Sequence, residues 1–343
     1  MFFGSREYAI GLVLLCTVGI TQPDCVGEST DGQEPFIDWE TLQNPVYDQQ
    51  QVTGDFWSTK DACMIYKDGA FYLFFSAFFE ADGRVRSHVV GVRTDDFKTF
   101  SEPMFLWDGR DDGWIGMCSP EIHKHEGIYY LTYNSWGDKD GRPNQLFYAT
   151  STDLEMWDKH KPLARSATVD ENGNPVRAID AALAFHNGRV YLSWKERQTP
   201  MFAVADRIDA AEWTRLGSPD PGWYENAKFL MIDGHWHMLA TARGPEPKRD
   251  HLPNLTRLRG TGDEDSDWLD WEPFRTLEIP YEGFNTDNRA NAAFLADWRD
   301  HDGYFYLLYA GRTQGQTHAG RGDNRLGLAR STDLMEWVVP GGP

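Results

Sequence analysis

The feature that most limits what this chain can fold into is a phrase that it repeats. Residues 61–76 read as an acidic residue, an apolar run, an Asp-Gly turn and an aromatic run. The same grammar returns at 119–135, 180–194, 225–242 and 291–310. Each copy carries hairpin signals, with β-favouring runs on either side of a glycine that accepts positive φ at the turn. These glycines are Gly69, Gly127, Gly188, Gly234 and Gly303, spaced 58, 61, 46 and 69 residues apart. The interval is too long for a lone hairpin and suits a four-stranded sheet. Five copies therefore predict an all-β chain, a five-bladed β-propeller with four-stranded antiparallel blades.

A second phrase follows the hairpins: an apolar strand, a Ser/Thr-Asp turn, then an aromatic, at 91–100, 148–157 and 328–337, with a degenerate copy at 203–207 leading to Trp213. These are third strands and the turns into fourth strands. Their acids Asp95, Asp153 and Asp333 are expected to be structural, because Asp side chains satisfy turn backbone groups. Polar, turn-rich stretches at 108–116, 137–144, 166–177, 244–270 and 313–324 read as long loops, and 243–267 reads as a surface excursion.

Residues 1–27 read as a signal peptide: Arg6, an apolar run at 9–20, then Cys25-Val26-Gly27 as a cleavage region. The run is shorter than the ~20 residues that span a bilayer. Residues 28–343 are then the propeller catalytic domain, secreted or periplasmic, with no membrane span in the mature chain. Cys63 and Cys118 remain after cleavage. They are either buried free thiols or, if blades one and two bring their Cα atoms to roughly 4.4–6.8 Å, a disulfide. With 33 Lys and Arg against 53 Asp and Glu, a net charge of −20, the chain repels nucleic acid and anionic membrane surfaces.

The innermost strand of each propeller blade lines the axis, so residues at the starts of these strands face one funnel. Asp61 and Asp180 lie eight residues before their turn glycines, and Glu225 lies nine before. Three carboxylates from different blades would converge there. Acetal hydrolysis needs one acid to protonate the leaving oxygen and one carboxylate to activate water or attack carbon. A third negative charge nearby favours the protonated acid. Glu121, Trp136, Trp194, Arg243 and Arg289 are candidate substrate contacts. Glu121 has the alternative of pairing with a basic residue, the arginines that of pairing with acids, and the tryptophans, with Trp57, Trp114 and Trp223, that of packing in the core.

At these residues the chain resembles glycoside hydrolase family 43 and its five-bladed relatives. Lys60-Asp61-Ala62, Ala178-Ile179-Asp180-Ala181 and Tyr224-Glu225-Asn226 stand where that family carries Asp, Asp and Glu, and Cys118-Ser119-Pro120-Glu121-Ile122 is similar to its blade-two signature. The resemblance implies that Asp61 is the general base, Asp180 the pKa modulator and positioner, and Glu225 the general acid. It also implies inversion, with carboxyl groups about 6.5–9.5 Å apart. His318, in the blade-five loop, stands where similar enzymes place a His beside an axial cation. Calcium is thus a candidate structural ion in the central channel, and no cofactor is required.

Two departures mark divergence: Asp61 and Asp180 are followed by Ala rather than Pro, and the motifs of the fructan-cleaving relatives are missing. The expected function is a secreted inverting glycoside hydrolase, arabinosidase- or xylosidase-like, acting on plant or algal oligosaccharides or polysaccharides. The alternatives are an anhydrogalactosidase-type hydrolase of red-algal oligosaccharides and a non-catalytic carbohydrate-binding propeller. A phosphorolytic propeller would need a basic cluster at the mouth, where the sequence has only scattered Arg.

Overall fold

The structure, a computed structural model, describes residues 36–48, 58–110, 112–138, 141–222, 224–242, 251–317 and 323–341. The expected signal peptide, 1–27, lies outside the described residues. Blade one pairs β1 (Ser58–Lys67), β2 (Ala70–Ala81), β3 (Arg84–Thr94) and β4 (Met104–Trp107) in chain order, all antiparallel. Blade two repeats this with β5 (Trp114–His125), β6 (Ile128–Asp138), β7 (Leu146–Ser151) and β8 (Lys161–Pro162). Blade three holds β9 (Ala178–His186), β10 (Arg189–Glu196), β11 (Thr199–Ala205) and β12 (Thr214–Gly217). Blade four holds β13 (Tyr224–Ile232), β14 (His235–Ala242), β15 (Pro253–Arg257) and β16 (Arg275–Thr276).

Among the described residues blade five has three strands, β17 (Asn288–Asp297), β18 (Phe305–Arg312) and β19 (Arg325–Ser331). Its outer edge is completed by single bridges. Tyr47 pairs with Leu326, and Val338 pairs with Arg330. Segments from both ends of the described chain therefore satisfy backbone groups that an open edge would leave unpaired. The inner strands β1, β5, β9, β13 and β17 pack in sequence and β17 returns to β1, which closes the ring. Apolar clusters fill the spaces between blades, such as Phe71, Leu73, Phe75, Tyr306 and Leu308 between blades one and five. Among the described residues no helix is long and apolar enough to cross a membrane.

Four of the five hairpins turn as expected, on two left-handed residues. Asp68 and Gly69 have φ of 50° and 85°, and Glu126-Gly127, Asn187-Gly188 and Asp233-Gly234 repeat the pattern. Two positive φ values define the turn whose twist matches a hairpin, which is why glycine stands second. The fifth differs. A single helical turn, Arg299–Asp302, links β17 to β18, and Gly303 caps it at φ 86°.

Two expectations need correction. The first concerns the Ser/Thr-Asp turns: Asp153 Oδ1 accepts from the N–H groups of Glu155 and Met156, and Asp333 Oδ1 accepts from those of Met335 and Glu336. In blade one the same job falls to Asp96, one residue later than expected, which accepts from Lys98 and Thr99, while Asp95 pairs with Arg93. The second concerns 244–270, which is not all loop. It contains β15, the third strand of blade four, followed by a 3₁₀ turn, Asp265–Leu269, that buries Trp268.

Each inner strand slips register near its start, β17 twice and the other four once. One non-glycine residue with left-handed backbone sits at a slip in each of the five strands: Asp61 (φ 55°), Ser119 (56°), Asp180 (58°), Asn226 (52°) and Ala292 (46°). Asp and Asn tolerate this region better than most residues, and a bulge re-aims the side chains beside it. Asp61 and Asp180 are themselves the bulge residues, whereas Glu225 precedes its bulge residue Asn226. That one-residue offset is the difference between eight and nine seen against the turn glycines.

Candidate active site

Asp61, Asp180 and Glu225 line one cavity of about 390 Å³ at the strand starts. Asp61 is 3% exposed and fixed from four strands. Lys60 Nζ lies 2.7 Å from Oδ1, Ser76 Oγ donates to Oδ2 at 3.1 Å, Ser119 Oγ donates to Oδ2 at 3.4 Å, and Asn226 Nδ2 donates to Oδ1 at 3.5 Å. Ser76 Oγ in turn accepts from the Ser119 N–H at 2.8 Å, so the floor is one connected network. Glu225 is half-buried, and its Oε2 contacts Lys195 Nζ. Burial disfavours the Lys60 ammonium, but the charges of Asp61, Glu225 and Asp180 more than offset this and hold it charged.

Asp180 differs from its neighbours. Its backbone N–H donates to Asn134 Oδ1 at 3.0 Å, and its carboxyl makes no ion pair among the described residues. Burial, then the nearby charges of Asp61 and Glu225, push its pKa above the usual value of 3.8. A folded-state pKa raised above the unfolded one means that the native state binds the proton more tightly, so stability falls as pH rises through that interval. Asp180→Asn removes a carboxyl that must ionise in a buried, acidic place. The variant should melt higher than wild type at pH 7, and the gap should shrink as the pH is lowered toward 3.8. Thermal melts of both proteins across pH check this, and a lower melting temperature for the variant at pH 7 would contradict it.

Residues 56–250, more than half of the chain, match Glycosyl hydrolases family 43. The chain belongs to this family. This family-43 chain is a glycoside hydrolase, and it matches no curated protein sequence. Among solved structures it is similar to a glycosyl hydrolase from Bacteroides ovatus, with TM-score 0.61 and 15% identity over 87% of this chain and 93% of that one. It is similar to the catalytic domain of a Coprinopsis cinerea family-62 α-L-arabinofuranosidase, with TM-score 0.59 and 15% identity over 84% and 95% of the two chains. It also resembles a xylan β-1,4-xylosidase from Bacillus halodurans C-125, with TM-score 0.56 and 16% identity over 88% of this chain and 57% of that one. At these identities the likeness shows the fold.

The other candidates of this family-43 chain are scattered. Trp136 lines the cavity and packs edge-on against Phe78, which lines it too. Trp194 is 1% exposed in the core cluster of blades two and three, under the Arg215 guanidinium. Trp114 is likewise a core residue. Arg289 turns away from the cavity, where it pairs with Glu278 at 3.0 Å and stacks on Tyr281. Glu121 is 1% exposed and contacts Lys228 below the cavity floor, which is the ion-pair alternative rather than a substrate contact. Arg243, His318, Trp57 and Trp223 lie outside the described residues. Cys63 and Cys118 are buried free thiols, so the disulfide alternative falls away.

Several lining residues escaped sequence reasoning: Lys60, Lys195, Asn226, Asn288, Asn291 and Arg312. Hairpin symmetry held the missing signal. The end of a second strand lies beside the start of its inner strand, so Lys195 stands opposite Ile179 and Arg312 opposite Asn288.

Proposed function

We propose that this chain is an exported, inverting glycosidase acting on pentose-containing plant saccharides, with Asp61 as general base, Asp180 as positioner and pKa modulator, and Glu225 as general acid. The observation that carries the reading is that three carboxyl groups from blades one, three and four line one cavity in three different settings. Asp61 accepts from Ser76, Ser119 and Asn226 at the floor, and a base held in this way can orient a water molecule and take its proton. Glu225, half-buried in blade four, lines the same cavity, which supports its assignment as the proton donor to a leaving oxygen. Asp180, raised by burial and by both partners, is the charge that each of them feels. The cavity volume falls within the range of small-molecule sites, and Phe78 and Trp136 offer an apolar wall beside its amides.

The arabinofuranosidase and xylosidase among the similar structures support a pentose as the sugar cleaved. Aryl α-L-arabinofuranosides, aryl β-D-xylosides and the matching oligosaccharides test the reading. Turnover is expected, with the inverted anomer appearing first by ¹H NMR. Retention of configuration would turn Asp61 into a nucleophile, and binding without turnover on the whole panel would favour a carbohydrate-binding propeller.

A further inference from the structure

Beneath the three carboxylates the channel is crossed by a side-chain pair. Two residues past their bulges, β5 carries Glu121 and β13 carries Lys228. Lys228 Nζ contacts Glu121 Oε2 and donates to the Pro120 carbonyl at 3.4 Å. Glu121 belongs to blade two and Lys228 to blade four, with blade three between them. A contact between blades that are not neighbours in the ring has to pass across the axis. Both residues are buried, Glu121 at 1% and Lys228 at 5% exposed.

The level pairs one ammonium with one carboxyl group. His123, next along β5, has Nε2 4.0 Å from Glu121 Oε1, and this nitrogen accepts from the Leu183 N–H at 3.2 Å. Burial and Lys228 push its pKa down to about 3, so the ring is neutral. Burial works against the Lys228 ammonium, but Glu121, Cys63 and Asp61 outweigh it and hold it charged. Burial pushes the Glu121 carboxyl up to about 7, with contact to Lys228 only partly opposing it. Well-packed apolar residues of similar volume often serve stability as well as a buried ion pair does. The pair therefore points to a use for the charge itself.

Family resemblance implies an axial cation such as calcium, which takes six to eight oxygen ligands. The residues here do not fit one at this level. Its carboxylate is already engaged by an ammonium, and among the described residues no group of three or more His, Cys, Asp or Glu could hold a metal ion. We propose that the Lys228 ammonium is this propeller's own axial cation. It is a covalently supplied positive charge under the floor that carries Asp61, and it ties blade two to blade four across the axis. Stability and turnover then need no divalent ion. The part concerning turnover rests on the proposed role of Asp61, whereas the part concerning stability does not.

The test is thermal melting and glycoside turnover of the purified full chain, treated with EDTA and then with CaCl₂. Wild type should keep its melting temperature and kcat in both. Lys228→Ala strands the buried Glu121 carboxyl without its partner and should melt roughly 5–15 °C lower. Should that variant fail to fold, Lys228→Met with Glu121→Gln removes both charges together. This double variant should melt within a few degrees of wild type yet lose at least about tenfold in kcat, because the charge under the floor is gone and Lys60 alone is left beside Asp61. A wild-type melting temperature that falls in EDTA and recovers in CaCl₂ would overturn the proposal, and so would full kcat in the double variant. A chain without glycosidase activity on any substrate would sink the proposed function while leaving the melting results readable.

Discussion

Asp61→Asn is expected to lose about 10²- to 10⁴-fold in kcat/KM, the usual contribution of one general base. The loss should be as large on aryl glycosides with excellent leaving groups as on natural saccharides. Attack by water needs a base however easily the other bond breaks, so improving the leaving group cannot compensate. Asn keeps the shape of the side chain and an oxygen that accepts from Ser76 and Ser119, while its amide nitrogen replaces the Oδ1 that faces Lys60 and Asn226, so only the serine half of the floor network is kept. Unchanged circular dichroism and a melting temperature near that of wild type would show that the defect is chemical. Azide, which needs no deprotonation, should restore turnover with activated donors. Wild-type kcat/KM in this variant would remove Asp61 from the mechanism.

Glu225→Gln should show the opposite dependence on the leaving group. On oligosaccharides, where the departing oxygen must be protonated, a loss of about 10²- to 10⁴-fold is expected. On dinitrophenyl glycosides, whose phenolate departs unprotonated, most of that loss should disappear. A plot of log kcat/KM against leaving-group pKa should thus be steeper for Glu225→Gln than for wild type or Asp61→Asn. Equal slopes in the two variants would sink the division of labour. The variant also leaves Lys195, whose Nζ contacts Glu225 Oε2, facing a neutral amide. A control at Lys195 is therefore needed: Lys195→Met should keep the shallow wild-type slope.

The parts of the site that were legible in the sequence are those encoded within a dozen residues. Asp61, Asp180 and Glu225 could be aligned because each stands a fixed distance from a turn glycine, and the bulge at Asp61, Asp180 and Asn226 explains the offset of one. Two adjacent acids in blade one, Asp95 and Asp96, leave the phase of the repeat against Ser151-Thr152-Asp153 ambiguous by one residue in the sequence. The true phase is Thr94-Asp95-Asp96, with Thr94 in place of Ser151. Strand β15 was hidden because its five residues begin with a proline and follow a polar stretch. Arg289 sits near the start of β17 and Trp194 near the end of β10, but alternation sends Trp194 into the core and Arg289 to Glu278.

By itself the sequence determined the number of blades, the turn type of four hairpins and the three carboxyl groups at strand entrances. These rest on local chemistry: positive φ at a glycine, alternation along a strand and spacing from a turn. Only the tertiary structure decided which charges meet. Lys228 reaches the carbonyl of Pro120 from 108 residues away, and Asn226 reaches Asp61 from 165 away. Such contacts leave no periodic trace, because they exist only once the ring has closed and set blades that are not neighbours face to face across the axis. Closure itself was decided in the same way, by β17 packing against β1 from more than 200 residues away, while Tyr47 bridges to β19 at the outer edge of blade five.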